Sequence, residues 1–369
     1  MRNKKPLFIL VGIITGIAFF TACSKDHNEI TIVPVDKVQL GKAIFFDKNL
    51  SNPVGQACAS CHSPNAAFSD PNHGITVPGA VSGLSSNRNC PSLTYASFTP
   101  LFHYDPVDSV YVGGFFLDGR VNTLQEQAMR PFLNKLEMNN TDTAMVIAKL
   151  RGADYFPLYK KVYGEPANIP QAFANMADAI GNFEMSSVFS PFTSKFDYYL
   201  KGVAQLSPEE ERGLKLFNNP LKANCAACHP STPDADLGKV MFTDFTYDNI
   251  GVPKNPANPF YSIPLAFNPD GANALDYGLG KILNNADFYG HFKVSSLRNV
   301  AITAPYFHNG FFNTLEEVVH FYNKRDVEPF PAAEFPATVN HKEMGNLHLT
   351  AQEEKDIVAF LKTLTDGYK

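Results

Sequence analysis

The chain has 369 residues, 44% of them hydrophobic, and its 31 Lys and Arg against 36 Asp and Glu leave a formal net charge of −5. That length allows two domains with cores of their own, and the slight acidity excludes an electrostatic footprint for nucleic acid. Tryptophan is absent, while 31 Phe, 15 Tyr, 27 Pro and 24 Gly predict aromatic cores joined by long ordered loops.

The N-terminus reads as a targeting segment. "MRNKK" is positively charged, "PLFILVGIITGIAFF" is apolar, and "TAC" brings small residues up to Cys23. The pattern resembles a bacterial lipoprotein signal, with residues 1–22 removed and Cys23 lipidated as the mature N-terminus; Phe20 takes the place of the usual Leu. An uncleaved N-terminal anchor is the alternative. Either way the expectation is an exported body held at the membrane, on the periplasmic side. Residues 23–37 then read as a polar tether.

Beyond the tether the periodic segments read as helix. "VQLGKAIFFD" opens a first domain, expected over 38–203, and "PQAFANMADAIGNFEMSSV" carries an apolar stripe. In "YYLKGVAQLSPEEERG" Ser207 suits an N-cap, Pro208 the first helical position and Glu210 the capping-box position. This marks the start of a second domain, expected over 204–369. "TLEEVVHFYNK" repeats the device with Thr314 and Glu317, and places Leu315, Val318, Val319 and Tyr322 on one face. "TAQEEKDIVAFLKTLT" repeats it with Thr350 and Glu353. Strand signals are sparse, so the class is mainly α. A weak internal repeat links the halves: "LGKAIFFDKNL…CASCHSPNAAFSD" and "RGLKLFNNP…CAACHPS…VMFTD".

Each half of the repeat holds a Cys-x-x-Cys-His: Cys58, Cys61 and His62, then Cys225, Cys228 and His229. This is a c-type haem attachment signal. Two cysteines at that spacing lie along one turn, so both can form thioethers with the vinyl groups of one porphyrin. The next residue then turns its imidazole toward the iron. A zinc ribbon needs its cysteine pairs about 15–20 residues apart, far less than here. A thioredoxin-like site needs one pair in a strand–helix context. Paired disulfides need no histidine after each. Cys90 stands alone and reads as a small buried residue.

The motifs "LGKAIFFD", "CASCH", "FSD", "NRNCPSL", "FLDGR", "TLQEQAMRPF", "LEM", "CAACH", "NIGVP", "SLRNVAITAPYFHNG" and "TLEEVVHFYN" follow one another in order. From about Val38 onward the chain resembles the bacterial di-haem cytochrome c peroxidases, including their methylamine-utilisation relatives. The resemblance implies two cytochrome c-like domains, each with one covalently bound haem c. His62 would hold the peroxidatic iron and His229 the electron-transfer iron. It further implies Glu137 as the acid/base that moves a proton between the peroxide oxygens, with Gln127 positioning peroxide or water. A calcium between the domains would take Asn89, Thr303 and Pro305, neutral oxygen donors that suit Ca²⁺. His308, Arg120 and Arg298 are expected near haem propionates.

Three departures from the family pattern stand out. The histidine that caps the resting peroxidatic iron has no counterpart near Val81; His73 and His103 read as loop histidines. The family's methionine ligand on the second iron is replaced by Tyr322, as in the methylamine-utilisation relatives, with Met344 as the rival ligand. Where the family places a tryptophan between the haems, this chain has Leu117, with Phe115 and Phe116 as neighbours. The activity implied is reduction of hydrogen peroxide to water, with electrons from a small donor protein of cytochrome c or cupredoxin type. The alternatives are an oxidase acting on a protein or organic substrate, as in the methylamine-utilisation relatives, and a two-haem electron carrier. Homodimers are common in the family.

Overall fold

The structure, a computed structural model, describes residues 35–369. The expectations for residues 1–22, for Cys23 and for most of the tether fall outside the described residues. At the end of the expected tether, helix has already begun at Val35. The helices in chain order are α1 (Val35–Phe46), α2 (Cys58–Cys61), α3 (Leu124–Leu133), α4 (Thr143–Arg151), α5 (Phe156–Tyr163), α6 (Ile169–Glu184), α7 (Lys195–Leu200), α8 (Pro208–Phe217), α9 (Leu279–Leu283), α10 (Leu315–Lys324) and α11 (Ala351–Lys362). Among the described residues the named strands form two antiparallel pairs: β1 (His103–Asp105) with β2 (Val110–Val112), and β3 (Tyr247–Asp248) with β4 (Phe292–Lys293). None of the described helices is long and apolar enough to cross a membrane.

The sequence repeat becomes a repeated helix crossing. α1 crosses α6 at Gly41, where an added Cβ would lie 2.6 Å from the Ala179 carbonyl carbon and 2.9 Å from the Phe183 Cβ. α8 crosses α11 at Gly213, where it would lie 2.6 Å from the Asp356 carbonyl carbon and 2.8 Å from the Phe360 Cβ. Only glycine allows backbones this close. One turn on, Phe45 meets Phe183 edge-to-face at 5.4 Å, and Phe217 meets Phe360 at 5.1 Å. Each crossing seeds one core. The first gathers Leu40, Phe45, Met176, Phe183 and Phe189, and the second Phe196, Phe217, Phe242, Phe360 and Leu364. Phe189 belongs to the first core and Phe196 on α7 to the second.

The three capping boxes form as read. Ser207 N–H donates to Glu210 at 2.6 Å, Thr314 N–H to Glu317 at 3.0 Å, and Thr350 N–H to Glu353 at 2.8 Å. Pro131 inside α3 deprives that helix of a hydrogen bond, and it ends at Leu133. The halves are tied by a partly buried ion network. Arg88 holds Asp276 through two bonds of 2.6 and 2.7 Å and Asp118 through one of 2.8 Å. The β1–β2 hairpin also reaches across: Gly113 N–H donates to Phe245 at 3.0 Å, and Tyr247 donates to the Gly113 carbonyl.

Candidate haem sites

A cavity of about 540 Å³ is lined at one end by Cys58, Cys61 and His62 and at the other by Cys225, Cys228 and His229. The two ends are built alike. Nδ1 of His62 lies 3.0 Å from the Phe68 carbonyl, and Nδ1 of His229 lies 2.8 Å from the Phe242 carbonyl. A carbonyl can only accept, so Nδ1 carries the proton and Nε2 keeps its lone pair. Phe68 and Phe242 both have φ of +54°. This left-handed backbone is unusual for a large side chain, and it aims each carbonyl at its histidine. The repeated Phe-Ser/Thr-Asp of the sequence is therefore the turn that holds the imidazole. Sequence reading found the repeat but not its job.

Burial pushes His62 below the usual histidine range and His229 down to about 4, so both rings are neutral, the form that binds metal. The four cysteines are unbridged. Burial pushes Cys61, Cys225 and Cys228 up to about 12 and Cys58 higher still. Two sets of paired thiols with one neutral imidazole, facing a mostly apolar space, fit two c-type haems. Cys90 is buried, as expected, and its sulfur lies 3.4 Å from His62 Nδ1.

The first end also collects Gln127, Glu137 and Arg120 along the cavity wall. Gln127 stands on α3. Glu137 stands in the turn after it, with its N–H on the Asn134 carbonyl at 3.0 Å and its own carbonyl accepting from Ala80 at 2.7 Å. Burial raises the Glu137 carboxyl above the ordinary range, partly offset by Arg120 and the Asn134 side chain. A second acid was missed from sequence. Glu184, at the end of α6, is buried on the same wall; its Oε2 has no hydrogen-bond partner, and burial pushes it up to about 8. Its signal was an acid closing an otherwise apolar helix face.

At the second end both Tyr322 on α10 and Met344 in the loop before α11 line the cavity. The Tyr322 phenol is raised by burial and then by Cys228, Asp248 and Cys225, which places it toward the thiols. Phe115, Phe116, Leu117 and Lys293 also line the cavity. His73 and His103 are exposed and line none of this space; their Nδ1 atoms bond the carbonyls of Ala304 and Leu101, each at 2.8 Å.

Arg298 spends its guanidinium on Asp197, at 2.9 and 3.0 Å, and on the Val240 carbonyl at 2.7 Å. Arg120 pairs with Asp118 at 2.7 Å and lies 3.5 Å over the Phe116 ring. His308 is buried and stacked on Phe292 at 3.8 Å. Asn89, Thr303 and Pro305 share the cavity wall, and Asn89 Nδ2 donates to the Gly74 and Ile75 carbonyls at 3.3 Å. Among the described residues no group of three or more His, Cys, Asp or Glu is placed to hold a metal ion.

Doubled crossing helices and a doubled thiol–imidazole set define a protein of the c-type haem class. Comparison with known proteins narrows it. The family model "Di-haem cytochrome c peroxidase" matches residues 35–205. Methylamine utilization protein MauG of Paracoccus denitrificans is 36% identical over 349 residues, covering 89% of this chain and 88% of that protein. Cytochrome-c peroxidase IdrP1 of a Pseudomonas species is 28% identical over 396 residues, covering 99% of this chain and 94% of the other. The crystal structure of the diheme peroxidase BthA from Burkholderia thailandensis superposes with a TM-score of 0.80 at 33% identity, covering 89% of this chain and 86% of that one. The chain belongs to the di-haem cytochrome c peroxidase family of haem oxidoreductases.

Proposed function

We propose that this protein reduces hydrogen peroxide to water, taking electrons one at a time from a small redox protein of cytochrome c or cupredoxin type. Each turnover consumes one peroxide, two electrons and two protons and yields two waters. Haem, when bound, supplies the iron at which the O–O bond is reduced. The chain's own residues do the rest. His62 and His229 present Nε2 to the two irons, and Cys58, Cys61, Cys225 and Cys228 anchor the porphyrins in two cytochrome c-like domains. Gln127 orients peroxide. Glu137 takes the proton from the near oxygen and delivers it to the far one, which leaves as water.

The observation that carries this reading is Glu137: a half-buried carboxyl whose proton affinity is raised by desolvation, lining the same cavity as Cys61 and His62. Steady-state peroxide consumption with a reduced cytochrome donor tests it. Glu137→Gln should lower turnover by about 10²–10⁴-fold with both haems still attached. Near-normal turnover in that variant refutes the role.

A second reading has support of its own. Tyr322 as ligand to the second iron would stabilise the ferric state, and MauG is a relative at 36% identity. On this reading the protein oxidises a protein or organic substrate, and Leu117 counts against a close copy of that route. Fast multiple turnover with a cytochrome donor favours the first reading; a single slow peroxide reaction favours the second. Export with a lipid anchor at Cys23, and a calcium at Asn89, Thr303 and Pro305, complete the proposal. Palmitate labelling and metal analysis of purified protein test these two.

A further inference from the structure

Leu117 on the cavity wall, where the family resemblance puts an inter-haem tryptophan, has a saturated side chain, which cannot hold a transient electron vacancy. Another group on the cavity wall is built to do so. Tyr95 is 2% exposed and lines the cavity. Its hydroxyl donates to the Asp366 carboxylate, with the two oxygens at 2.8 and 2.9 Å, and accepts from the Phe192 N–H at 3.0 Å. A phenol can give up an electron at an accessible potential only if its proton leaves too, and here a carboxylate is already in contact.

Its position is the second observation. On one side, the Tyr95 N–H donates to the Phe189 carbonyl at 2.9 Å, and the Phe189 ring stacks on Phe68 at 3.9 Å. Phe68 is the residue whose carbonyl holds His62. On the other side, the Arg298 guanidinium lies 4.6 Å over the Tyr95 ring and 5.9 Å over Phe242. Phe242 is the residue whose carbonyl holds His229. Tyr95 thus stands midway along a packed chain that joins the two histidine-holding turns. Arg298 is neutralised by Asp197 at 2.9 Å, so its charge does not forbid oxidation of the ring. Other tyrosines lack the combination. Tyr155 and Tyr163 donate to Asp47 and Asp178 at 2.7 and 2.6 Å but do not line the cavity. Tyr306 lines it but donates to the Val300 carbonyl, which cannot take a proton.

We infer that Tyr95, paired with Asp366, is the redox-active side chain that relays electrons between the two haem sites. The inference rests on the peroxidase reading, since hydrogen peroxide reacting at the first site is the oxidant. In the forward step Tyr95 gives one electron to the peroxide-oxidised first site, its O–H bond breaks, and the proton passes to Asp366. In the return step the second site supplies one electron, Asp366 gives the proton back, and the O–H bond reforms. Tyr95 and Asp366 end unchanged, and one electron has moved from the second site to the first.

The test is freeze-quench electron paramagnetic resonance on the haem-loaded protein after addition of hydrogen peroxide, with ring-deuterated tyrosine to assign the signal. The expected result is a tyrosyl signal narrowed by deuteration, lost in Tyr95→Phe and kept in Tyr306→Phe. Asp366→Asn should lower its yield, because asparagine keeps a hydrogen bond to the phenol but takes no proton. Peroxide-driven oxidation of the second haem should slow at least about tenfold in Tyr95→Phe with haem content unchanged. If the Tyr95–Asp366 pair were only a latch for the C-terminal tail, no radical would form. Wild-type protein that consumes peroxide without a tyrosyl signal, or a Tyr95→Phe variant that keeps both signal and rate, overturns this assignment alone. Wild-type protein that leaves peroxide untouched overturns it together with the peroxidase reading.

Discussion

Replacing Gly213 by alanine tests the helix crossing on which the second haem site rests. The new Cβ would arrive 2.6 Å from the Asp356 carbonyl carbon and 2.8 Å from the Phe360 Cβ. Carbon–carbon contacts are comfortable at about 3.5–4.0 Å, so α8 and α11 must part by about 1 Å. The clash is with backbone, which cannot swing aside, so the cost belongs at the top of the overpacking range, about 3 kcal/mol. The better helix propensity of alanine returns about 1 kcal/mol, leaving a net loss of about 2 kcal/mol. For a half of this size each kcal/mol moves the melting temperature by about 2–4 °C, so Gly213→Ala should melt about 4–8 °C below wild type. Far-ultraviolet circular dichroism of the haem-loaded protein reads this directly. Gly152→Ala is the control. That glycine ends α4 with φ of −86°, and an added Cβ meets nothing nearer than 3.5 Å, so its melting temperature should stay close to wild type. Gly41→Ala should behave like Gly213→Ala, since the first crossing is as tight. A Gly213→Ala protein that melts with wild type refutes the reasoning.

Three further outcomes follow from the same geometry. If Tyr322 closes the second iron, the ferric protein has no near-infrared methionine–iron band at low temperature, and Tyr322→Met gains one with a higher potential; a band in wild type makes Met344 the ligand. Glu184 has its folded pKa raised from 4.5 to about 8, so its contribution to stability is full below the lower value and is lost as pH rises through about 8. Urea midpoints should therefore fall across that window in wild type and stay flatter in Glu184→Gln; equal slopes would remove the acid from the account. Asp276→Asn leaves Arg88, partly buried between the halves, with only Asp118 as anionic partner. The loss should be about 3 kcal/mol by denaturant unfolding, and a loss within error of zero would contradict the network.

What could be read before any coordinates was local or repeated. The two Cys-x-x-Cys-His clusters and the three capping boxes each lie within a few contiguous residues, and their chemistry does not depend on distant partners. The repeat even showed that the two ends would be built alike. Gln127 and Glu137 came from the family resemblance, and the fold sets both on the cavity wall.

The rest depended on tertiary structure because it pairs residues far apart in the chain. That Arg298 is committed to Asp197, that Glu184 loses its partners on burial, and that Tyr95 reaches Asp366 near the last residues are consequences of how the two cores meet. Sequence alone located the two haem-attachment motifs, because thioether and imidazole spacing is a property of one turn. Only the fold decided which carbonyl holds each histidine, which carboxyls burial raises, and which tyrosine meets Asp366, because burial and long-range proximity are not encoded in any single stretch.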